Sequence, residues 1–586
     1  MDNKYIIKKK SLLKSTFLRS GRSTRTPNAG LVGALAVGAI AVLSLGLSKS
    51  ASAFNLYDGS KSGNNLEINL TTTLSYTPIF RVGSPSKLLT SPTLNANGSE
   101  GDLAFQHGLV SNEFEVTPVL DITDGDYGAH FSGEAYLNTS YLGTNQNDQP
   151  DTLNPYTVAK NTDFTRATRN VDGLNARLLD AFVYGTQHFG ANESQSLTLK
   201  VGRQTLLWGQ SLFFSNNGIA AGMAPIDILT ADNNPNAQVQ QIIEPVGQVV
   251  LTYQPNSVLT LQGYYQFEWE HDYFQGVGAY FSSTDILDKG GERLILATPN
   301  SLFPGFPGEY AFRSKDLSPL DNNGQFGASV QLTLGNYDLG FFGLRYDAKS
   351  PAIYLTNFNP SAPTPTAYGL SAGNYNLVYP RDIWIEGTSL STTVGPANLA
   401  GELSFRQHMN LVNETGIVAT AANNANSNPG YPVGDTMAGQ VSAIYISPGI
   451  PLDPGGVSVD GEIAFNHVLG ITANKVNLTD IPHRSPTAAQ FEILMTPTYY
   501  DVIPNLQLGF PIGLTYGFYG RSEIDPTENN GTGSVNFGVT ATYKVTWLAS
   551  VTYNDYIGAP NPLIAAGGEP SIADRNYLLL NLQHSF

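Results

Sequence analysis

The sequence predicts an all-β fold: one closed antiparallel transmembrane β-barrel of about 18 strands (16–18), with short periplasmic turns, long extracellular loops and one loop folded into the lumen. Three observations predict it. Side chains alternate apolar and polar with period two from Phe54 to the C-terminus. The connections between alternating segments are sorted by length. The composition is rich in glycine and aromatics (Gly 59, Tyr 30, Phe 28) and only 13% charged. Length alone, 586 residues, would suggest several soluble domains, but barrels run long as single domains. The absence of cysteine excludes a disulfide framework and any Cys-based metal site.

The alternation is plain in the first strand. Leu66, Ile68, Leu70, Thr72, Leu74 and Tyr76 point one way, and Glu67, Asn69, Thr71, Thr73 and Ser75 the other. Candidate strands cover 65–81, 111–122, 127–142, 175–190, 196–204, 246–254, 258–270, 324–334 and 337–347. They continue at 381–394, 397–406, 435–447, 457–468, 487–500, 506–520, 533–543, 547–556 and 576–586. Odd strands are followed by long connections, such as 82–110, 205–245, 271–323 and 407–434. Even strands are followed by short ones, such as Pro255-Asn256-Ser257, Gly335-Asn336 and Lys544-Val545-Thr546. A soluble all-β protein would share the period but has no reason to sort its loops.

Residues 1–53 read as a signal peptide and 54–586 as one barrel domain. Lys4, Lys8, Lys9, Lys10, Lys14, Arg19, Arg22 and Arg25 precede an apolar stretch from Leu31 to Leu47, and Ala51-Ser52-Ala53 supplies the cleavage site at Ala51 and Ala53. Removing nine basic residues and Asp2 turns 31 basic against 48 acidic residues into 22 against 47, a formal −25. That balance excludes a nucleic-acid partner, which needs a basic surface.

A closed barrel of this size would hold water, so its inward positions should be polar. They are: His130, Ser132, Glu134 and Asn138, then Gln262, Gln266, Glu268 and Glu270, then Glu402, Ser404 and Arg406, and finally Asp460, Glu462 and Asn466. Glu268, Glu270, Glu402, Arg406 and Glu462 are the lumen candidates. They either tune a transport path or simply line the barrel and pair across strands. Pro118, Pro497 and Pro511 each remove a ladder donor and mark bulges, edges or kinks. The chain ends on an alternating strand closed by Phe586, the expected assembly signal.

Segment 202–227, GRQTLLWGQSLFFSNNGIAAGMAPID, breaks the alternation and is too apolar to lie in water. It should fold into the barrel mouth, its turns eased by Gly209, Gly218 and Gly222. Arg203, Trp208, Leu212, Phe213, Phe214 and Met223 are its candidate constriction or substrate contacts; a packing plug without ligand contact is the equal alternative. No G-x-S-x-G elbow, H-E-x-x-H pair or P-loop lysine occurs, and the eight histidines are scattered. No catalytic, cofactor or metal site is expected.

The run Gly202-Arg203-Gln204 to Trp208-Gly209-Gln210-Ser211, with Ala220-Ala221-Gly222 and Ala224-Pro225-Ile226-Asp227, resembles the hallmark block of a proteobacterial outer-membrane family catalogued as domain of unknown function thirteen hundred and two. Further matches are Gly276 to Phe281, Gly290 to Arg293, Gly401 to Arg406 and Gly461 to Ala464. The resemblance implies an outer-membrane barrel, often encoded near a periplasmic partner and a resistance-nodulation-division exporter, that moves hydrophobic compounds. It carries over no catalytic residues.

The reading is an outer-membrane channel for hydrophobic or amphipathic small molecules in a Gram-negative bacterium. A general diffusion porin with mild cation preference and a non-transporting surface barrel are the alternatives. Expected partners are outer-membrane lipid and lipopolysaccharide, the barrel-assembly machinery, the periplasmic partner and exporter just named, and hydrophobic small molecules.

Overall fold

The computed structural model describes residues 54–586 apart from 150–153, 234–241, 288, 320–323, 413–416, 420–428, 448–454, 479–483 and 563–570. The expected signal peptide and its cleavage residues Ala51 and Ala53 lie outside the described residues.

The barrel strands, in chain order, are β1 (Leu66–Arg81), β2 (Gly108–Asp124), β3 (Tyr127–Asn138), β4 (Leu174–Phe189), β5 (Gln195–Gln204) and β6 (Val246–Gln254). Next come β7 (Leu259–Gln266), β8 (Gln325–Leu334), β9 (Tyr337–Tyr346), β10 (Ile383–Val394), β11 (Ala397–Asn410) and β12 (Val433–Ile446). The last are β13 (Val457–Ala473), β14 (Thr487–Ile503), β15 (Leu506–Gly509 and Ile512–Tyr519), β16 (Gly533–Tyr543), β17 (Trp547–Ile557) and β18 (Tyr577–Ser585). Each pairs antiparallel with its sequence neighbours, and β18 pairs back onto β1, from Thr73 opposite Ser585 to Arg81 opposite Tyr577. The sheet has 20 hydrogen-bonded pieces; two of them form the broken β15 and one is the short Phe54–Asp58, which leaves a closed barrel of 18 strands.

Phe54–Asp58 shares the lane of β18. It pairs with Glu67–Leu70 of β1 just beyond the point where Phe586 exchanges backbone hydrogen bonds with Thr72. The rings of Phe54 and Phe586 meet edge to face, 5.8 Å apart. The strand prolines act as expected of missing donors. Pro511 sits in the break of β15, with Phe510 N–H donating to the carbonyl of Pro497 across the interruption.

The sorting of connections holds around the whole ring. One end carries tight turns such as 125–126, 335–336, 395–396 and 504–505; the other carries every long connection. Outside, the wall exposes Phe114, Leu178, Leu251, Phe341, Val441, Ile463, Phe537 and Val551, while inside it presents the polar set predicted from the alternation. Several boundaries differ from expectation, two of them near candidate lumen residues. β7 stops at Gln266, so Glu268 and Glu270 lie in the following connection rather than on the barrel wall. β11 runs on to Asn410 through a bulge, with His408 at φ 60.

A feature absent from the sequence reading covers the loop end. Short pieces of three connections (Arg293–Ala297, Glu309–Arg313, Ala352–Thr356, Thr364–Thr366, Gly369–Val378 and Ile417–Ala419) form a second, six-stranded sheet. Its Leu294, Ile353, Tyr375 and Leu377 pack against Trp269, Ile286 and Tyr379.

Candidate functional site

In the connection from β5 to β6, residues 205–233 turn inward and cross the lumen. Its apolar side chains find a partner in the wall. Trp208, Ile219 and Met223 are buried against Val250, Tyr264, Phe342, Leu344, Ile383 and Ile385 of β6, β7, β9 and β10. The Trp208 ring lies 5.1 Å from Tyr264 and 5.6 Å from Phe342, and its Nε1 donates to Gln262 Oε1 at 2.6 Å. Wall glycines make room: a Cβ on Gly327 would sit 2.8 Å from the Trp208 ring, and one on Gly387 2.6 Å from Ile219 Cδ1. Within the loop Gly209 takes a left-handed φ of +94, as a turn requires. Gly218 does not; it is small because a Cβ there would press on Glu402 at 2.9 Å.

A chain crossing a lumen leaves its backbone N–H groups without ladder partners, and buried N–H groups must be satisfied. Two carboxylates of the far wall do this. Glu462 on β13 accepts from Leu212 N at 3.0 Å, Phe213 N at 2.7 Å and Phe214 N at 3.0 Å. Glu402 on β11 accepts from Gln210 N and, at 2.8 Å, from Ile219 N. Arg406 on β11 supplies the opposite polarity, its Nη2 donating to the carbonyls of Asn216 (3.0 Å) and Gly218 (2.8 Å). Asn217 bonds Gln440 and the Gly439 carbonyl of β12. Bonds to charged groups stabilise by about 1.5–3 kcal/mol each, so this clamp fixes the loop.

The second half of the loop is tied to the opposite wall. Arg177 on β4 bonds Glu134 of β3 (2.6 Å) together with Asp227 (2.7 Å) and Glu244 (3.1 Å) of the loop, and stacks on Tyr273 at 3.9 Å. In the strand order β3–β4 and β11–β13 lie about half the circumference apart. Residues 205–233, with 242–245, are therefore a crossbar.

A cavity of about 390 Å³ lies on the loop side of the crossbar. Its wall is mostly apolar: Ala221, Ile226, Phe281, Tyr346, Met409, Leu411, Tyr431 and Ile524. Its charged groups are Asp232, Asp272, Lys349, Arg406 and Asp525. Burial pushes the Asp232 carboxyl up to about 7 and the Lys349 ammonium down to about 7. Lys349 donates to Gln325 Oε1 and the Asp347 carbonyl.

Of the six crossbar candidates, Trp208, Leu212, Phe213 and Met223 are buried in packing, and Phe214 is half-buried. Arg203 pairs with Glu268 at 3.0 Å, and Glu268 also accepts from Gly247 N at 2.6 Å. None of these side chains lines the cavity, and Glu270 is exposed beyond β7. Of the lumen candidates, Glu402, Glu462 and Arg406 come together, but as the clamp for the crossbar rather than as free lining charges or cross-strand pairs. Only Arg406 also reaches the cavity. The sequence reading missed Arg177, although Glu134 stands opposite it in the β3–β4 register, and it missed cavity residues such as Tyr346 at the end of β9 and Lys349 and Ile524 of other loops.

A family model described as "Protein of unknown function (DUF1302)" matches residues 34–586. No curated protein matches the chain. Among solved structures the chain is similar to OccAB1 of Acinetobacter baumannii, at 10% identity over 92% of this chain and 99% of that chain, with a TM-score of 0.41. It is also similar to OccK9 (OpdG) of Pseudomonas aeruginosa, at 11% over 89% and 98%, TM-score 0.40. A BenF-like porin from Pseudomonas fluorescens Pf-5 is 10% identical over 89% and 98%, TM-score 0.38.

Proposed function

The chain belongs to the DUF1302 family of proteins of unknown function, and from the site it builds we propose that it is an outer-membrane channel of a Gram-negative bacterium that passes hydrophobic or amphipathic small molecules. The observation that carries this reading is the mostly apolar cavity of about 390 Å³ beside a crossbar clamped to both walls. Closure of the backbone ladder and an apolar exterior support a place in hydrocarbon, where open edges are not tolerated. Phe586, held by Thr72 beside the closing seam, suits recognition by the barrel-assembly machinery.

A second reading, a general diffusion porin with mild cation preference, is favoured by a separate observation. The inward faces of β14–β18 and β1–β2 carry Glu492, Thr515, Ser534, Ser550, Asn581, Ser75, Glu113 and Glu115, small polar or acidic groups, and the cation there, Arg81 at the loop end of β1, is neutralised by Asp102 and Asp574.

The two readings part in a deletion strain grown on a panel of hydrophobic carbon sources and small hydrophilic ones. Deletion should slow uptake of the hydrophobic class, and a copy carrying Ala221→Trp, which fills the cavity, should fail to restore it. Equal slowing of hydrophilic solutes, with full rescue by Ala221→Trp, would replace the first reading by the second.

A further inference from the structure

Arg406 clamps the crossbar with only part of its guanidinium. Nη2 makes both of its carbonyl bonds, while Nε is buried with no hydrogen-bond partner. The side chain is 2% exposed and lines the cavity, yet among the described residues no carboxylate forms an ion pair with it. A buried charge is normally paired, and a buried donor normally bonded. Asn410, further along β11 on the same cavity wall, has an Oδ1 that is likewise buried and unbonded. Rotating its amide would present the NH₂ group instead. Beside this polar pole the wall is Tyr346, Met409, Leu411 and Ile524.

We propose that the cavity binds an amphipathic monocarboxylate, its head on Arg406 and Asn410 and its aliphatic body along that apolar wall. The inference rests on the transport reading above and narrows it to one substrate class. The remaining charged groups of the cavity already have partners. Lys349 is held by Gln325 and Asp347; Asp272 takes Ile226 N and Ser350 Oγ. Asp525 takes Asn216 Nδ2 and Thr527 N, and Asp232 takes Gln275 Nε2. These carboxyls act on a bound anion from a distance, whereas the guanidinium meets it in contact, where charge-assisted bonds are strongest.

Calorimetric titration of the intact protein in lipid nanodiscs, with empty nanodiscs subtracted, tests this with octanoate, octanol and octylamine. Octanoate should bind about tenfold more tightly than octanol, the ratio expected of one charge-assisted contact, and octylamine more weakly than either. In Arg406→Gln that advantage should vanish while octanol binding stays within about twofold; Arg406→Lys, which keeps the charge, should retain part of it. Equal binding of octanoate and octanol by the wild type overturns the carboxylate inference and leaves the apolar cavity standing. Preference for octylamine overturns it in favour of the carboxyls. Loss of octanol together with octanoate in Arg406→Gln reduces Arg406 to a loop clamp and overturns it too. Binding of none of the three removes the transport reading as well.

Discussion

Two arcs of the same wall obey the same alternation and serve opposite ends. Along β6–β10 the inward positions include Val250, Tyr264, Phe342, Leu344 and Ile385, all buried. Along β14–β18 most are polar, among them Glu492, Thr515, Ser534, Asn536, Thr552 and Asn554. The outward positions barely differ: Leu251 and Phe341 on one arc, Phe537 and Val551 on the other, are all exposed. A strand apolar on its outer face alone needs only lipid. A strand apolar on both faces, in a barrel wide enough for water, needs an apolar guest on the inside. The first arc has one in Trp208, Ile219 and Met223 of the crossbar; on the second, Tyr577 and Leu579 at the loop end of β18 meet Tyr280 and Phe281, while the polar positions below them pack against no such loop cluster among the described residues.

The largest effect should come from releasing that guest. Replacing Glu402 and Glu462 together by Ala removes the acceptors of Gln210, Leu212, Phe213, Phe214 and Ile219 N–H. Each buried N–H left unpaired costs about 1–3 kcal/mol. The crossbar should leave the far wall, and single-channel conductance in planar bilayers should rise. An unchanged conductance would show that packing against β6–β10 alone holds the loop.

A smaller effect sharpens the contrast between arcs. Trp208→Ala empties a packed site and should cost about 3–5 kcal/mol in urea unfolding from lipid vesicles. Ser550→Ala, on the polar arc, should stay within about 0.5 kcal/mol. Similar losses at the two positions would mean that the arcs are packed alike.

The smallest effect is one of pH. Burial pushes Asp232, Glu244 and Asp285 up to about 7 and Glu528 up to about 8, all at the loop end. Their folded values exceed the unfolded ones, near 4, so the folded state binds more protons across that window. Loop-end stability should therefore rise as pH falls from 8 towards 5. Lys349, pushed down to about 7, opposes this rise between pH 8 and 7 and, charged in both states, adds no slope below it, where the carboxyls alone set the sign. Amide exchange, corrected for intrinsic rates, should slow in loop-end segments at pH 5 and stay constant in the turns at the other end. Faster loop exchange at pH 5 would contradict the sign.

The barrel was legible because each strand states its own two faces and each connection its own length. Insertion of the crossbar was legible too, since Trp208, Leu212 and Phe213 could not rest in water. What holds it was not. Glu402 and Glu462 stand far along the chain from the N–H groups they bind, and an inward carboxylate looks the same in sequence whether it faces water or a backbone. The loop-end sheet escaped for a related reason: its pieces, such as Arg293–Ala297 and Thr364–Thr366, are too short to show a period. Two of its pairings, Glu309–Arg313 with Gly369–Val378 and Ala352–Thr356 with Ile417–Ala419, join separate connections. Glu268 was misplaced because alternation ran past Gln266, where the ladder ends.

The clamp on the crossbar reads main chain, and that has a consequence for redesign. Every residue except proline offers the amide hydrogen that Glu402 and Glu462 bind. Where the side chain is not itself packed away, as at Gln210 and Phe214, the anchor is blind to the letter at that position. A mutant library randomised at those two sites, with proline left out, should vary what the bar displays while the bar stays where it is.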